Sequence, residues 1–163
     1  PCCGSGTLAI EALLAGTPNT LRNWACLDFA AAQPAAARAF AGDLDPAATA
    51  RTLANAQRAG VAASLVTQAC ELAAWPPDPA IALVASNLPW GARLGSRAAA
   101  RRLVQRWGAA VARTAPDRPA LAVVAEPQLA ADTGLHDLRV CATRHGGKAV
   151  WLVAGRTPKR GAR

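Results

Sequence analysis

A chain of 163 residues is long enough for one domain with its own core, and its 52% hydrophobic and 17% charged residues exclude wholesale disorder. Its apolar runs are broken by proline, glycine or charge before they reach the roughly 20 residues of a membrane span. Lys and Arg number 18 against 10 acidic residues, a formal charge of +8. This excess favours a polyanionic partner, with a membrane surface as the weaker alternative, unless it reflects codon bias alone.

The first half of the chain predicts a glycine-rich turn, a helix, a strand, a second helix and a second strand. Their predicted bounds are Gly4–Thr7, Leu8–Ala15, Ala36–Ala41, Pro46 to about Ala59, and Ser64–Thr67. Gly16 and Gly60 end the two helices, and Asp45 is a favourable N-cap for the second. Residues 17–35 show no strong period and predict a long connection.

The second half predicts a strand buried on both faces, an arginine-rich helix, another buried strand and a closing hairpin. The bounds are Ile81–Ala85, Ser96–Ala115 (with Leu103, Val104, Trp107 and Val111 on one face), Ala120–Ala125, His136–Thr143 and Ala149–Ala154. Gly146-Gly147 signals the turn of the hairpin. This order predicts an α/β fold with a mostly parallel sheet and a C-terminal antiparallel hairpin. We expect the domain to span residues 1–155 and residues 156–163 to be a basic disordered tail.

A glycine-rich loop and an acidic residue predict a cofactor site. Gly4 and Gly6 let a ligand approach the backbone, and the amides at the start of the helix are outward-facing donors. The loop lacks the Gly-Lys-Ser/Thr of a P-loop, so its donors suit a carboxylate or a ribose as well as a phosphate. Asp43 follows the next strand, where nucleotide-binding α/β folds place an acid that binds ribose. The alternative role, capping the helix, needs only Asp45.

The segment Asn87-Leu-Pro-Trp-Gly91 follows a buried strand, at the sheet edge where α/β folds bind ligands. The Asn87 side-chain oxygen and the next carbonyl can both accept from an amino group, which turns the nitrogen lone pair toward an electrophilic methyl group. Trp90 can stack on a base presented there. Alternatively, the segment is a Pro-Gly turn with a core tryptophan.

Three segments in this order and spacing, PCCGSGT, GDLDP and NLPWGARLG, resemble the THUMP-associated RNA guanine-N2 methyltransferases. In that family they are the S-adenosylmethionine (SAM) motif, the ribose-binding acid and the catalytic motif Asn/Asp–Pro/Leu–Pro–aromatic–Gly. The late segment GGKAVWL is similar to the closing hairpin of the family. The resemblance covers nearly the whole chain and implies a Rossmann-like methyltransferase fold, SAM as cofactor and RNA, either tRNA or rRNA, as substrate.

The resemblance also implies roles for individual residues. Guanine N2 would be oriented by Asn87, Pro89 and Trp90, and Asp43 would bind the ribose of SAM. The rest of the cofactor pocket would comprise Cys3, Gly4, Ser5, Gly6, Thr7, Leu44, Cys70 and Glu71. Cys70 stands where the family usually has an acid for the adenine amino group, so either Glu71 substitutes or this contact is lost.

We expect the chain to be a piece of a longer protein, because it begins at Pro1 and contains no methionine. The expected strand order, 3-2-1-4-5-7-6, has a first strand that would precede Pro1, as would the THUMP domain. Two other functions remain open. One is methylation of adenine N6 or another planar amino group, and the other is a degenerate methyltransferase fold that only binds RNA.

The remaining polar residues predict neither metal nor nucleophilic catalysis. The five cysteines are an odd number without repeated CxxC spacing, which favours free thiols in a reducing cytoplasm; they are Cys2, Cys3, Cys26, Cys70 and Cys141. His136 and His145 lie in the hairpin region and are expected to be structural or at the surface. We therefore expect a cytoplasmic enzyme with no metal and no membrane partner.

Overall fold

The structure, a computed structural model, describes residues 1–15, 38–76, 80–89 and 96–159. These residues group into two compact units, one spanning Cys2–Glu71 and the other Leu72–Arg163 together with Pro1. Each unit contains its own sheet and helices. The expectation of a single domain over residues 1–155 stays a prediction.

The first unit is a two-stranded parallel sheet with two helices. Its elements are α1 (Thr7–Ala15), β1 (Ala39–Asp43), α2 (Pro46–Arg58), a 3-10 turn (Ala62–Ser64) and β2 (Leu65–Ala69). Asp45 caps α2 by accepting a hydrogen bond from the Ala47 amide at 2.9 Å, as predicted. Both strands and both helices contribute to one apolar cluster of Ile10, Leu13, Ala41, Ala56 and Leu65. Because β1 and β2 are parallel and in register from Ala39–Leu65 to Asp43–Ala69, their carboxyl ends lie side by side.

The second unit is a four-stranded mixed sheet. Its elements are a 3-10 turn (Leu72–Ala74), β3 (Val84–Asn87), α3 (Arg97–Thr114), β4 (Pro119–Val124), α4 (Leu129–Asp132), β5 (His136–His145) and β6 (Lys148–Arg156). The strand order is β3-β4-β6-β5, with β3 and β4 parallel and the two pairs that involve β6 antiparallel. Val104, Trp107 and Val111 form the buried face of α3, as their spacing predicted, while Leu103 is only partly buried.

Strand pairing within each sheet agrees with the predicted order. The pair β1-β2 corresponds to the second and third strands of that order, and β3-β4-β6-β5 corresponds to the run 4-5-7-6. The alternation of strands and helices followed by an antiparallel hairpin is confirmed. The connection predicted over residues 17–35 lies outside the described residues.

Two predictions about elements need correction, and one element was not predicted. The strand predicted from Ile81 begins at Val84, and Leu83 is 47% exposed, so this apolar run is not buried along its length. The four-residue helix α4 was not predicted. The disordered tail predicted from residue 156 is wrong for its first residues, because Arg156 ends β6 and Thr157 is fully buried. The Thr157 hydroxyl accepts from the Arg118 amide and donates to the Ala115 carbonyl, which holds this segment in place; residues 160–163 lie outside the described part.

Candidate active site

The loop before α1 forms a turn at Gly4 and Ser5, where the sequence predicted a glycine-rich turn. Gly4 and Gly6 have φ angles of +58° and +84°, in the left-handed region that glycine tolerates best. The Gly6 amide donates to the Cys3 carbonyl at 2.8 Å, which closes the turn, and the Ile10 amide donates to the Gly6 carbonyl at 2.9 Å. A Cβ at Gly6 would lie 2.5 Å from Cγ2 of Thr52, so this position has no room for a side chain.

Asp43, the last residue of β1, fixes the loop through its carboxylate. Its Oδ2 accepts from the Gly4 amide at 3.0 Å, and its Oδ1 accepts from the Asp45 amide at 3.2 Å. The Cys3 amide also donates to the carbonyl of Gly42 at 2.8 Å. Since each carboxylate oxygen can accept more than one hydrogen bond, Asp43 retains capacity for a hydroxyl ligand such as a ribose.

The end of β2 lies against the end of β1, as the parallel pairing requires. The Cys70 amide donates to the Asp43 carbonyl at 2.9 Å. Glu71 follows directly and is exposed, and Leu44 is 67% exposed. The first unit therefore brings the glycine loop, Asp43 and Cys70 together at one end of its sheet, where the sequence predicted a cofactor pocket.

The two neighbouring thiols of the loop are poor nucleophiles. Burial raises the pKa of the Cys2 thiol to about 11, and burial also raises the pKa of the Cys3 thiol despite the opposing effect of its hydrogen bond with Thr52. Both side chains are therefore protonated thiols at neutral pH, and thiolates are the reactive form of cysteine. The four described cysteines, Cys2, Cys3, Cys70 and Cys141, are free.

In the second unit, Asn87 is the last residue of β3 and is exposed at the carboxyl end of that strand. It is in register with Val123 of β4, and the Leu88 amide donates to the Val123 carbonyl at 3.3 Å. Leu88 is buried to 1% exposure, which anchors the segment directly after Asn87, and Pro89 is half-buried. The third predicted catalytic residue, Trp90, lies outside the described residues.

A buried hydrogen-bond chain beside Asn87 was not predicted. The Trp107 indole Nε1 donates to the Ser86 hydroxyl at 2.9 Å, and that hydroxyl donates to the Pro1 carbonyl at 2.7 Å. Trp107 and Ser86 are fully buried. The only signal in the sequence was a serine in an apolar strand directly before Asn87, and a buried hydroxyl requires a partner.

His136 does not belong to the site around Asn87. Its Nε2 is 3.1 Å from the Thr157 carbonyl and its Nδ1 is 3.2 Å from Asp137 Oδ2. In the sheet, His136 of β5 is in register with Arg156 of β6, and Arg156 is in register with Pro119 at the start of β4. Val123, which is in register with Asn87, lies at the other end of β4. The role of His136 is therefore structural, as expected. Among the described residues, no group of His, Cys, Asp and Glu has the arrangement of a metal site, and no helix has the length and apolar character to cross a bilayer.

Several solved structures share this fold. A possible methylase from Clostridium difficile 630 superposes with a TM-score of 0.72 at 18% identity, covering 100% of this chain and 48% of its own. TrmN from Thermus thermophilus gives a TM-score of 0.65 at 17% identity, covering 94% of this chain and 41% of its own. An RNA methyltransferase from Salinibacter ruber, in complex with S-adenosyl-L-homocysteine, gives a TM-score of 0.60 at 15% identity, covering 99% of this chain and 80% of its own. The chain thus spans less than half the length of the first two.

These identities are low enough that the structural likeness shows the fold alone, a Rossmann-like methyltransferase fold. No curated protein matches the sequence significantly. A family model does match it over residues 1–147, and its description is UPF0020, RMKL-like, methyltransferase domain. This match includes the glycine loop, Asp43 and the Asn87 segment, and so covers the candidate residues of both units. The chain belongs to the UPF0020 family of RMKL-like methyltransferase domains.

Proposed function

We propose that this chain transfers the methyl group of SAM to the exocyclic N2 of guanine in RNA, with tRNA or rRNA as substrate and the cytoplasm as location. The observation that carries the proposal is the exposed amide of Asn87 at the end of β3, in a segment that resembles the guanine-N2 catalytic motif. Family membership supports methyl transfer in general. The choice of guanine N2 rests on the resemblance of the three motifs.

The first unit fits the chemical groups of SAM. Asp43 offers carboxylate oxygens to the ribose hydroxyls, and the exposed hydroxyls of Ser5 and Thr7 stand at the loop surface. Gly4 has open space where a Cβ would be, so a ligand can approach its backbone. The Salinibacter ruber RNA methyltransferase, which shares the fold, was solved with S-adenosyl-L-homocysteine, the product of SAM after methyl transfer.

Bound SAM supplies an electrophilic methyl group, and the protein positions the amino group that receives it. The Asn87 carboxamide oxygen accepts one N–H of guanine N2, which directs the nitrogen lone pair toward the methyl carbon. The new N–C bond forms as the S–C bond breaks, and N2 releases a proton to solvent. Because this is an in-line displacement, correct positioning supplies much of the rate without a nucleophilic side chain.

The arginines of α3 support a nucleic acid as substrate. This helix contains five arginines and no acidic residue. All five are exposed. Arg97 pairs with Glu126 at 2.7 Å and Arg101 with Asp132 at 2.8 Å. Arginine binds phosphate oxygens through a planar fork, so this surface suits an RNA backbone.

The decisive experiment compares Asn87→Ala with Asn87→Asp. Alanine removes the acceptor and should lower kcat by more than about 100-fold, since aligned positioning contributes several kcal/mol to the rate. Aspartate keeps an accepting oxygen and should retain more activity than alanine. Isothermal titration should show SAM affinity within a few-fold of wild type in both variants. Loss of SAM affinity in parallel with turnover would assign Asn87 to cofactor binding or stability instead.

Product analysis tests the substrate. Mass spectrometry of nucleosides from RNA treated with the protein should show N2-methylguanosine, and the signal should be absent with Asn87→Ala. A product of N6-methyladenosine, or methylation of protein only, would overturn the guanine assignment. RNA binding without any methyl transfer would support the degenerate, binding-only function.

A further inference from the structure

Helix α2 contacts the cofactor loop through two polar side chains on one face. Thr52 is fully buried, and its hydroxyl lies 3.3 Å from the Gly4 carbonyl and 3.4 Å from the Cys3 sulfur. Asn55, three residues later, donates from Nδ2 to the Ser5 carbonyl at 2.8 Å. Residues three apart on a helix face the same side, so α2 binds two consecutive carbonyls of the loop.

These bonds complete the pairing of the loop carbonyls. The Cys3 carbonyl accepts from the Gly6 amide, and the Gly6 carbonyl accepts from the Ile10 amide. Together with Thr52 and Asn55, every carbonyl from Cys3 to Gly6 therefore has a donor within the same unit. A loop whose carbonyls are engaged in this way presents no unpaired oxygen to repel the carboxylate of a ligand.

The backbone of Gly4 is held through both its amide and its carbonyl. Its amide is bound by the Asp43 carboxylate at the end of β1, and its carbonyl is bound by Thr52 on α2. Thr52 also fixes how closely the loop approaches the helix, because a Cβ at Gly6 would meet its methyl group. Thr52 and Asn55 of α2 thus orient the peptide groups of the loop. Neither side chain is one of the candidate ligand-binding residues.

We propose that Thr52 and Asn55 are positioning residues for SAM, acting through the carbonyls of Gly4 and Ser5. This inference rests on the proposed function, in which the loop binds the cofactor. It assigns a role in cofactor affinity to the centre of α2, a segment that the sequence motifs did not include.

Asn55→Asp tests the proposal with little change in shape. A carboxylate cannot donate to the Ser5 carbonyl and would repel it at this distance, so the Kd for SAM should rise about 10-fold. Gln57→Glu is the matched control, since it makes the same charge change at an exposed position of α2. Isothermal titration of wild type, Asn55→Asp and Gln57→Glu gives the comparison, and the control should stay within about two-fold of wild type.

Thr52 provides a second, independent test. Thr52→Val keeps the shape but removes the hydroxyl, so the KM for SAM should rise about 3- to 10-fold while kcat changes less. Thr52→Ser restores the hydroxyl and should recover most of the affinity. Thr49→Val is the control for loss of a buried hydroxyl on α2, because Thr49 donates only to the Pro46 carbonyl within the helix. Thermal unfolding of each variant separates loss of affinity from loss of fold.

The outcomes distinguish this proposal from the proposed function. If wild type binds SAM and both Asn55→Asp and Thr52→Val bind it equally well, the positioning role is wrong and the proposed function stands. Equal effects of Gln57→Glu and Asn55→Asp would mean that charge alone lowers affinity, which also overturns the role. A wild-type protein that binds no SAM would overturn the proposed function, and the positioning role with it.

Discussion

Gly6 is a residue that both its backbone conformation and its surroundings restrict to glycine. Its φ of +84° disfavours any L side chain, and its Cα faces the methyl group of buried Thr52. Gly4 shares the left-handed conformation, with φ of +58°, but a Cβ there would meet nothing within 4 Å. A side chain at Gly4 would therefore be destabilised by backbone conformation alone, whereas a side chain at Gly6 would also meet a steric clash.

We predict that Gly6→Ala lowers the free energy of unfolding by about 2–4 kcal/mol, combining left-handed strain with overpacking. Gly4→Ala should cost only about 1–2 kcal/mol, since strain alone applies. Urea denaturation of both variants measures the difference. Equal losses in the two variants would contradict the close approach of Thr52 to the loop.

Ser86 allows a second prediction at the scale of residues. Ser86→Ala leaves the buried indole N–H of Trp107 without its acceptor, so the free energy of unfolding should fall by about 1–3 kcal/mol. Thr114→Val is the matched control on α3, because the buried Thr114 hydroxyl has no hydrogen-bond partner in the described part of the chain. Denaturation curves should show no decrease in the free energy of unfolding for Thr114→Val. A loss in Thr114→Val as large as in Ser86→Ala would mean that any buried hydroxyl matters equally.

Single residues were predictable where their role depends on neighbours in sequence. The cap at Asp45 and the glycine-rich turn before α1 follow from residues within a few positions. The bond between Ser86 and Trp107 joins residues 21 positions apart, and that between Asn55 and Ser5 joins residues 50 positions apart. Such pairs depend on how a helix packs on its sheet, which local patterns do not specify.

At the scale of elements, α4 is held to α3 by one acidic side chain. Asp132 accepts from Arg101 Nε at 2.8 Å and from Gln105 Nε2 at 2.9 Å. Directly after α4, the Thr133 carbonyl lies so close to Gly108 of α3 that a Cβ at Gly108 would overlap it. Only four residues long, α4 has too few positions to show a helical period, which is why the sequence did not predict it.

The Asp132 contacts predict a pH dependence of stability. The Arg101 hydrogen bond, with a smaller contribution from Gln105, holds the pKa of the Asp132 carboxyl below its ordinary value of 3.8. A lowered pKa in the folded state means that the carboxylate stabilises the fold above pH 3.8, and that this stabilisation is lost as pH falls through the lowered value. Wild type should therefore be more stable than Asp132→Asn at pH 7, and the difference should shrink below pH 3.8. Urea titrations across this range measure it, and a difference independent of pH would refute the ion pair.

At the scale of the whole molecule, the candidate residues divide between the two units. All candidate cofactor residues that the structure describes lie in the first unit, and the candidate catalytic residues Asn87 and Pro89 lie in the second. The sequence predicted the order of elements well, because alternating periods and glycine punctuation are local signals. It misjudged residues 156–159, whose basic and proline-containing composition resembles a tail although the buried Thr157 hydroxyl ties them to the sheet.

Charge is the property of the whole molecule that bears most directly on an RNA partner. A net charge of +8 predicts RNA affinity that falls steeply with salt, because bound cationic side chains release counterions from the phosphates. Arg102 is exposed near the start of α3, and a helix that follows β3 begins near the carboxyl end where Asn87 lies. Arg118 is also exposed but precedes β4, at the opposite end of the sheet.

We therefore predict that Arg102→Gln weakens binding to tRNA and that Arg118→Gln, with the same charge change, does not. Loss of one phosphate contact should make the slope of log affinity against log salt shallower by about 0.7–0.9. Fluorescence anisotropy with labelled tRNA between low and moderate salt gives both slopes. If both variants lower the affinity equally, net charge alone attracts the RNA, and Arg102 of α3 makes no specific contact with it. If Arg118→Gln alone weakens binding, the RNA lies at the other end of the sheet, away from the amide that would receive its guanine.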